Sequence, residues 1–460
     1  MTNLNLDPFT RTTSPGLGTE PLSGQAWQYS GANTNYSTTG TTARIALAAV
    51  GTLLYATVET GKADHTARIT FPALPVPTGG AVTLRIPVRY LDSSNYYEAV
   101  LTIPTAGSVT LGISKRIGGA GSSVATAVNV GTHAAGNSWV VVCSVFGTTI
   151  RARAWNTTGA DPATWSVSGA AVDTAIQSAT QAGWGARRET GSTNNTTVDG
   201  DNYQANTIIQ VDEQAVYPPR VLITVVDLQV GDIVSVYRSV AGVRTLVQGG
   251  TVTMTDVALL RIDASLPFGV PVTYVAAING SETASAAAVH TLPGGKVVVS
   301  DAIAALSAEV VIWSWAEKAY DRSSTVFRVG SRNVVVSGDL SQSEGDIELY
   351  VDATSSAENL RDVLADCTQG IVQIRQPGGY DGVDGFYVLT DIRERRFSQD
   401  GSDEKRIFTC HAVEVDGWAA AFTALGFTYG DLAAVYAGLT YSNLAADFAT
   451  YLALGQADLS

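Results

Sequence analysis

The chain of 460 residues is 45% apolar and 8% aromatic, enough for real hydrophobic cores, so wholesale disorder is excluded. Lys and Arg total 28 against 42 Asp and Glu, and the resulting net charge of −14 argues against a nucleic-acid partner because it repels phosphate. No run of about 18 apolar residues occurs, so no membrane insertion is expected.

At roughly 100–200 residues per domain, the length implies two to four domains. Charged residues make up only 15% of the chain while Gly supplies 45 positions, a balance that favours short strands and tight turns. The N-terminal stretch lacks a basic segment followed by an apolar one, so a signal peptide is not expected and synthesis in a cytoplasm is. Cys143, Cys367 and Cys410 are odd in number and lack CxxC spacing, which predicts free thiols rather than disulfides or a zinc site.

Residues 1–212 form one block dense in Gly, Thr, Ser and Ala. Alternating runs at Leu53–Val58, Val82–Arg89, Tyr97–Ile103 and Trp139–Val145, each bounded by turn residues, predict an antiparallel β-sandwich. At 213–220 the chain passes through Pro218-Pro219, a stiff connector that suggests a domain boundary. Residues 213–293 then carry strands at Val221–Val226, Asp232–Tyr237 and Val270–Val275, about the content of a small immunoglobulin-like or fibronectin-III-like sandwich. From 294 to 419 charges become denser, and a helix is predicted over Ser355–Asp366, capped by Thr354 and striped by Leu360, Val363 and Leu364. Strands flank it at Thr325–Val329, Ile347–Val351, Gly370–Arg375 and Arg406–Val413. The segment 420–460 holds a repeat: Thr428-Tyr-Gly-Asp-Leu-Ala-Ala-Val-Tyr-Ala437 recurs as Thr440-Tyr-Ser-Asn-Leu-Ala-Ala-Asp-Phe-Ala449. Each copy suggests a short helix that needs a partner surface.

Several of these residues carry a family resemblance. Asp7-Pro-Phe-Thr-Arg11, Gly24-Gln-Ala-Trp27, Arg89-Tyr-Leu-Asp92, Asn95-Tyr-Tyr97, Arg153-Ala-Trp155, Pro162-Ala-Thr-Trp165, Gly183-Trp-Gly185 and Val198-Asp-Gly-Asp-Asn-Tyr203 follow the order seen in laminin-G-like and concanavalin-A-like lectin domains. The pairing of Asp232-Ile-Val-Ser-Val-Tyr-Arg238 with Pro267-Phe-Gly-Val-Pro-Val-Thr-Tyr274 resembles fibronectin-like modules in minor tail proteins of actinobacterial phages. Strands around one helix at 294–419 resemble the split barrel of tail-tube and distal-tail proteins of long-tailed phages. The resemblance implies a mainly β chain: a lectin-like jelly-roll sandwich, a fibronectin-III-like sandwich, a split-barrel α+β domain and a short C-terminal helical segment. It implies a structural role at the tail tip of a virion, with other phage tail proteins as partners and a host cell-wall or capsular polysaccharide as ligand.

Exposed aromatic faces stack on sugar rings, which makes Tyr96 and Trp184, together with Asp201, the candidate carbohydrate contacts. The resemblance implies that Trp27, Trp155 and Trp165 brace the sandwich, while strand alternation requires Tyr96 and Tyr97 to face opposite sides. Asp199, Asp201 and Asn202 offer closely spaced oxygens that suit calcium, but the resemblance reads them as a closing strand, and no cofactor is expected. Glu344-Gly-Asp346-Ile-Glu348 has the carboxylate spacing of lectin-fold glycoside hydrolases, yet it lies far beyond the sandwich and reads as a solvated strand face. The four histidines join no known catalytic motif, so no enzyme is expected. The alternative is a secreted glycan-binding protein or glycoside hydrolase with accessory β modules. Trp313 and Trp315 alternate and should share one side of a strand. Leu432, Tyr436, Leu444 and Phe448 are apolar anchors spaced for one helical face in each repeat copy and predict self-association; the resemblance to phage tail tips implies a homotrimer, or a hexameric ring as second choice.

Overall fold

The computed structural model describes residues 3–214, 218–292, 296–301, 306–315, 317–320, 322–329, 332–340, 342–367, 370–377, 384–398 and 403–415. It is mainly β, as the composition predicts, and falls into two sandwiches and a barrel. The C-terminal repeat, with Leu432, Tyr436, Leu444 and Phe448, lies outside the described residues.

The first sandwich packs a nine-stranded sheet on a seven-stranded one, a jelly-roll-like arrangement with antiparallel neighbours. The seven-stranded sheet runs in the order Ala120–Thr132, Ser108–Ile117, Asn95–Ile103, Val82–Asp92, Gln181–Arg188, Leu53–Glu59 and Gln28–Tyr29. The nine-stranded sheet centres on Asn137–Phe146, His65–Leu74 and Thr197–Asn206, and Asn3–Asp7 pairs with the last of these. Strand alternation sends every second residue inward, so Leu84, Ile86, Val88, Tyr97, Ala99, Leu101, Val141, Cys143 and Val145 share one core with Trp27. Trp155 and Trp165 brace the other face of the nine-stranded sheet, where they cluster with Val140 and Val142.

His65 is buried at one end of this sandwich, with Nδ1 2.8 Å from the Lys62 carbonyl oxygen and Nε2 without a partner. Burial pushes its pKa down from 6.5 to about 4. The unfolded chain therefore takes up a proton below pH 6.5 that the native ring refuses until about pH 4. The stability held by the neutral ring is complete above pH 6.5 and is lost progressively as pH falls to 4, by roughly 3 kcal/mol. Thermal midpoints measured across that window should fall, and His65→Asn should flatten the slope. An equal slope in the variant would exclude His65 as its source.

The second sandwich faces a three-stranded sheet (Ile209–Gln214, Arg220–Val225, Leu259–Asp263) against a six-stranded one built around Ile233–Val240 and Pro271–Ile278. Three strands against a larger antiparallel sheet match the fibronectin-III-like expectation. The boundary differs from the sequence reading. Ile209–Gln214 pairs along its length with Arg220–Val225, so Pro218-Pro219 lies within a strand connection of the second sandwich. The step between sandwiches comes at Thr207 and Ile208, straight after the strand ending at Asn206.

That step is tightly packed rather than loosely linked. Phe146 from the first sandwich joins the core of the second. Arg151 reaches across to Asp232 at 2.9 Å and to the Asp227 carbonyl oxygen at 2.7 Å, and lies over Phe146 and Trp165. A second junction joins sandwich to barrel: Arg375 donates to the Leu266 carbonyl oxygen and lies 4.9 Å from the Phe268 ring centre.

The barrel closes through Val297–Ser300, Ser307–Trp315, Glu344–Val351, Arg406–Val415, Gly385–Arg396 and Ile371–Arg375. A hairpin, Arg322–Val329 with Arg332–Leu340, is inserted after its second strand. The helix Thr354–Asp366 follows its third strand and buries Ala357, Leu360 and Val363 in the barrel core. Thr354 is the first helical residue and not the cap; Ala353 occupies that position with no side-chain bond. Trp313 and Trp315 do not share a face either. The register between their strand and Glu344–Val351 shifts between Ile312 and Ser314, which makes Trp313 the extra residue of a bulge. Trp313 turns outward, 53% exposed, against Tyr350 and Phe397, while Trp315 packs inward on Tyr387.

Candidate functional site

The outer face of the seven-stranded sheet carries an aromatic and acidic cluster. Tyr55, Tyr90 and Tyr96 project there from three strands, with ring centres 5.3–5.8 Å apart. A Cβ at Gly185 would lie 2.4 Å from both the Leu54 carbonyl oxygen and the Tyr55 ring, so glycine is what lets that ring settle on bare backbone. Glu98 sits beside the rings at 3% exposure. It accepts hydrogen bonds from the Tyr55 hydroxyl and Arg85, and from Ser114 Oγ at 2.7 Å. Burial raises the Tyr55 hydroxyl well above its usual pKa, so it remains a protonated donor to Glu98, and raises Tyr90 to about 12. Both Glu98 oxygens are engaged by neighbouring side chains.

The three predicted carbohydrate contacts do not come together. Tyr96 is on this outer face, opposite to Tyr97 as alternation requires, but only 2% exposed, so it offers no open ring face to a sugar. Trp184 is wholly buried between the sheets, with its ring edge-on to Phe9 and Phe71. Asp201 lies across the molecule on the nine-stranded sheet, paired in register with Thr70 and bonded to Asn202. Asp199, the other candidate calcium ligand, is held in a two-pronged ion pair by Arg44 at 2.7 and 2.8 Å. Among the described residues no group of three or more His, Cys, Asp or Glu side chains could hold a metal.

Glu344, Asp346 and Glu348 lie on the outside of the barrel. Asp346 pairs with His411 at 2.9 Å and raises its pKa, while Glu348 pairs with Arg395 and Thr409. Asp346 and Glu348 form cross-strand pairs on a solvated face, as the sequence reading expects, and Glu344 is exposed beside them. Cys143 and Cys410 are buried free thiols, and Cys367 is a half-buried one.

One concave feature lies outside the sites that the sequence suggests. A cleft of about 670 Å³ opens between the outer face of the nine-stranded sheet and the three-stranded sheet of the second sandwich. Gln204 and Asn206, opposite Arg68 and Thr66 in the register, supply one wall; Gln210 and Asp212, opposite Thr224 and Leu222, supply the other. Along its rim Arg68, Asp161, Arg153 and Asp227 alternate in charge, with Arg153 Nε 3.0 Å from Asp161 and Arg153 stacked 4.7 Å from the Trp165 ring centre.

No family model matches the chain, and no curated protein does. Among solved structures it is similar to a mutant of the GH43 protein BlXynB from Bacillus licheniformis, at 13% identity and a TM-score of 0.31 over 44% of this chain. That match spans 39% of the Bacillus protein. The carbohydrate binding module CBM66 from Bacillus subtilis is matched at 13% identity and a TM-score of 0.27, over 39% of this chain and 95% of the module. A beta-1,3-glucanase from Mycobacterium marinum is matched at 13% identity and a TM-score of 0.29, over 45% of this chain and 99% of that one. Overlap of this extent assigns no activity.

Proposed function

We propose that the chain is a structural protein of a long-tailed phage, placed at the tail tip, whose N-terminal sandwich contributes recognition of a host cell-wall or capsular polysaccharide. The observation that carries this reading is the closed six-stranded barrel with one helix after its third strand, behind two sandwiches in series. That element order is what the sequence resemblance to tail-tube and distal-tail proteins rests on. The buried contacts at both junctions suit a component that must hold a recognition module in a set orientation. A non-catalytic role is supported by Glu98, whose two oxygens are both occupied by protein donors, and by Asp346 and Glu348, which are spent on cross-strand pairs. Other tail proteins and further copies of this chain, as a trimer or hexameric ring, are the expected partners.

Immunogold labelling of virions from the encoding genome should decorate the tail tip, and added purified chain should compete with virions for adsorption. Absence of the chain from purified virions would overturn the reading. Release of reducing sugar from cell-wall polysaccharide by the purified chain would favour a glycoside hydrolase instead.

A further inference from the structure

We infer that the cleft between the two sandwiches is a binding site for a neutral oligosaccharide. The assignment rests on the glycan-recognition reading for its ligand class, but its location comes from the groove itself. Three side chains that line it are at least nine-tenths buried and have a polar atom with no partner in the protein: Asn206 Oδ1, Gln210 Nε2 and Arg153 Nη1. A buried polar atom left unpaired carries a desolvation cost, which a bound partner at the cavity would relieve. Here the set is one acceptor and two donors, the combination that sugar hydroxyls meet because each hydroxyl both donates and accepts.

The volume, about 670 Å³, falls within the roughly 300–1,000 Å³ of small-ligand sites, and domain junctions are where such sites concentrate. Charge narrows the ligand. Arg68 and Arg153 face Asp161, Asp212 and Asp227, so carboxylates outnumber guanidinium groups and a phosphate or other anion is disfavoured. Asp161 and Asp227 are already shared with Arg153, which leaves no pair of free carboxylates to hold a cation. Val142, Leu222, Val226 and Val257 supply apolar wall for the C–H faces of sugar rings.

The full chain should be applied to an array of neutral hexose and pentose oligosaccharides, with sulfated and sialylated members for comparison, and affinities for the bound members measured by calorimetry. Binding confined to neutral members is expected. Gln210→Leu should weaken it about tenfold, the worth of one hydrogen bond to a buried partner, while leaving the thermal midpoint unchanged or raised because an unpaired amide is removed. Thr224→Tyr, at a half-buried position directly across from Gln210, should block binding by filling the groove and serves if the first variant misfolds. Binding to charged members alone, no binding at all, or binding untouched by both folded variants would overturn the assignment. Tail-tip labelling of virions in those cases would leave the structural tail reading standing, so the two failures are distinguishable.

Discussion

Asp232→Ala should destabilise the protein by about 3–5 kcal/mol, the usual cost of stripping one partner from a buried ion pair. Asp232 has no solvent-exposed side-chain surface, and Arg151 has only 4%. The carboxylate receives Arg151 Nη1 at 2.9 Å, the Gln229 N–H at 3.0 Å and Asn279 Nδ2 at 2.7 Å, so its loss strips a buried guanidinium of this counter-charge and leaves two donors without their acceptor. Burial already lowers the pKa of Arg151, which marks how far the site depends on its counter-charge. The same contact bridges the sandwiches, so denaturant unfolding followed by far-ultraviolet circular dichroism, which reads the strands of both, should split into two transitions in the variant. A paired replacement, Arg151→Met with Asp232→Leu, should recover much of the loss, because no charge is then stranded. A loss below about 1 kcal/mol for Asp232→Ala, typical of surface sites, would show that water reaches the junction.

Trp184→Ala should cost about 3–5 kcal/mol as well, through the cavity left between the sheets. The indole fills the space between Phe9 and Phe71, and Gly200 on the facing strand has room only because it lacks a Cβ, which would lie 3.2 Å from the ring. The near-ultraviolet dichroism of the buried aromatics should weaken with the unfolding midpoint, and any loss of glycan binding should track unfolding. A variant as stable as the parent that nonetheless loses binding would return Trp184 to the role of ligand contact that its residue type first suggested.

Much of the architecture was legible in the chain because strand periodicity is local. Val82–Arg89, Tyr97–Ile103 and Trp139–Val145 each become part of a strand, and Tyr96 and Tyr97 do take opposite faces. The helix at 354–366 was legible for the same reason. What failed was whatever depends on pairing at a distance. The bulge at Trp313 comes from register with Glu344–Val351, and no feature of Val310-Val-Ile-Trp-Ser-Trp315 announces it. Pro218-Pro219 looks like a linker by composition, yet partner choice makes it a strand connection. Residue type alone nominated Trp184 and Tyr96, and burial removed both. The groove does have a mark in the sequence: Gln204, Asn206, Gln210, Asp212 and Gln214 form a polar alternation across the step between sandwiches, broken only at Ile208. Read as a closing strand followed by a connector, that stretch is divided at the point where it acts together.

The pairing of Asn3–Asp7 with the strand that exits the first sandwich has a mechanical consequence. Asn3 stands opposite Asn206 and Asp7 opposite Tyr203, so the antiparallel pair brings the entry and exit of the chain to the same end. Tension applied between those two points would open the ladder one rung at a time, like a zip, instead of loading all its rungs at once in shear. A sandwich pulled through its own termini would therefore yield at low force. A pull delivered at the groove takes another route: it enters Ile209–Gln214 and its partner strand directly, and the clasp of Arg151 on Asp232 shares the load. Force from a tethered surface would then bypass the weak zip altogether.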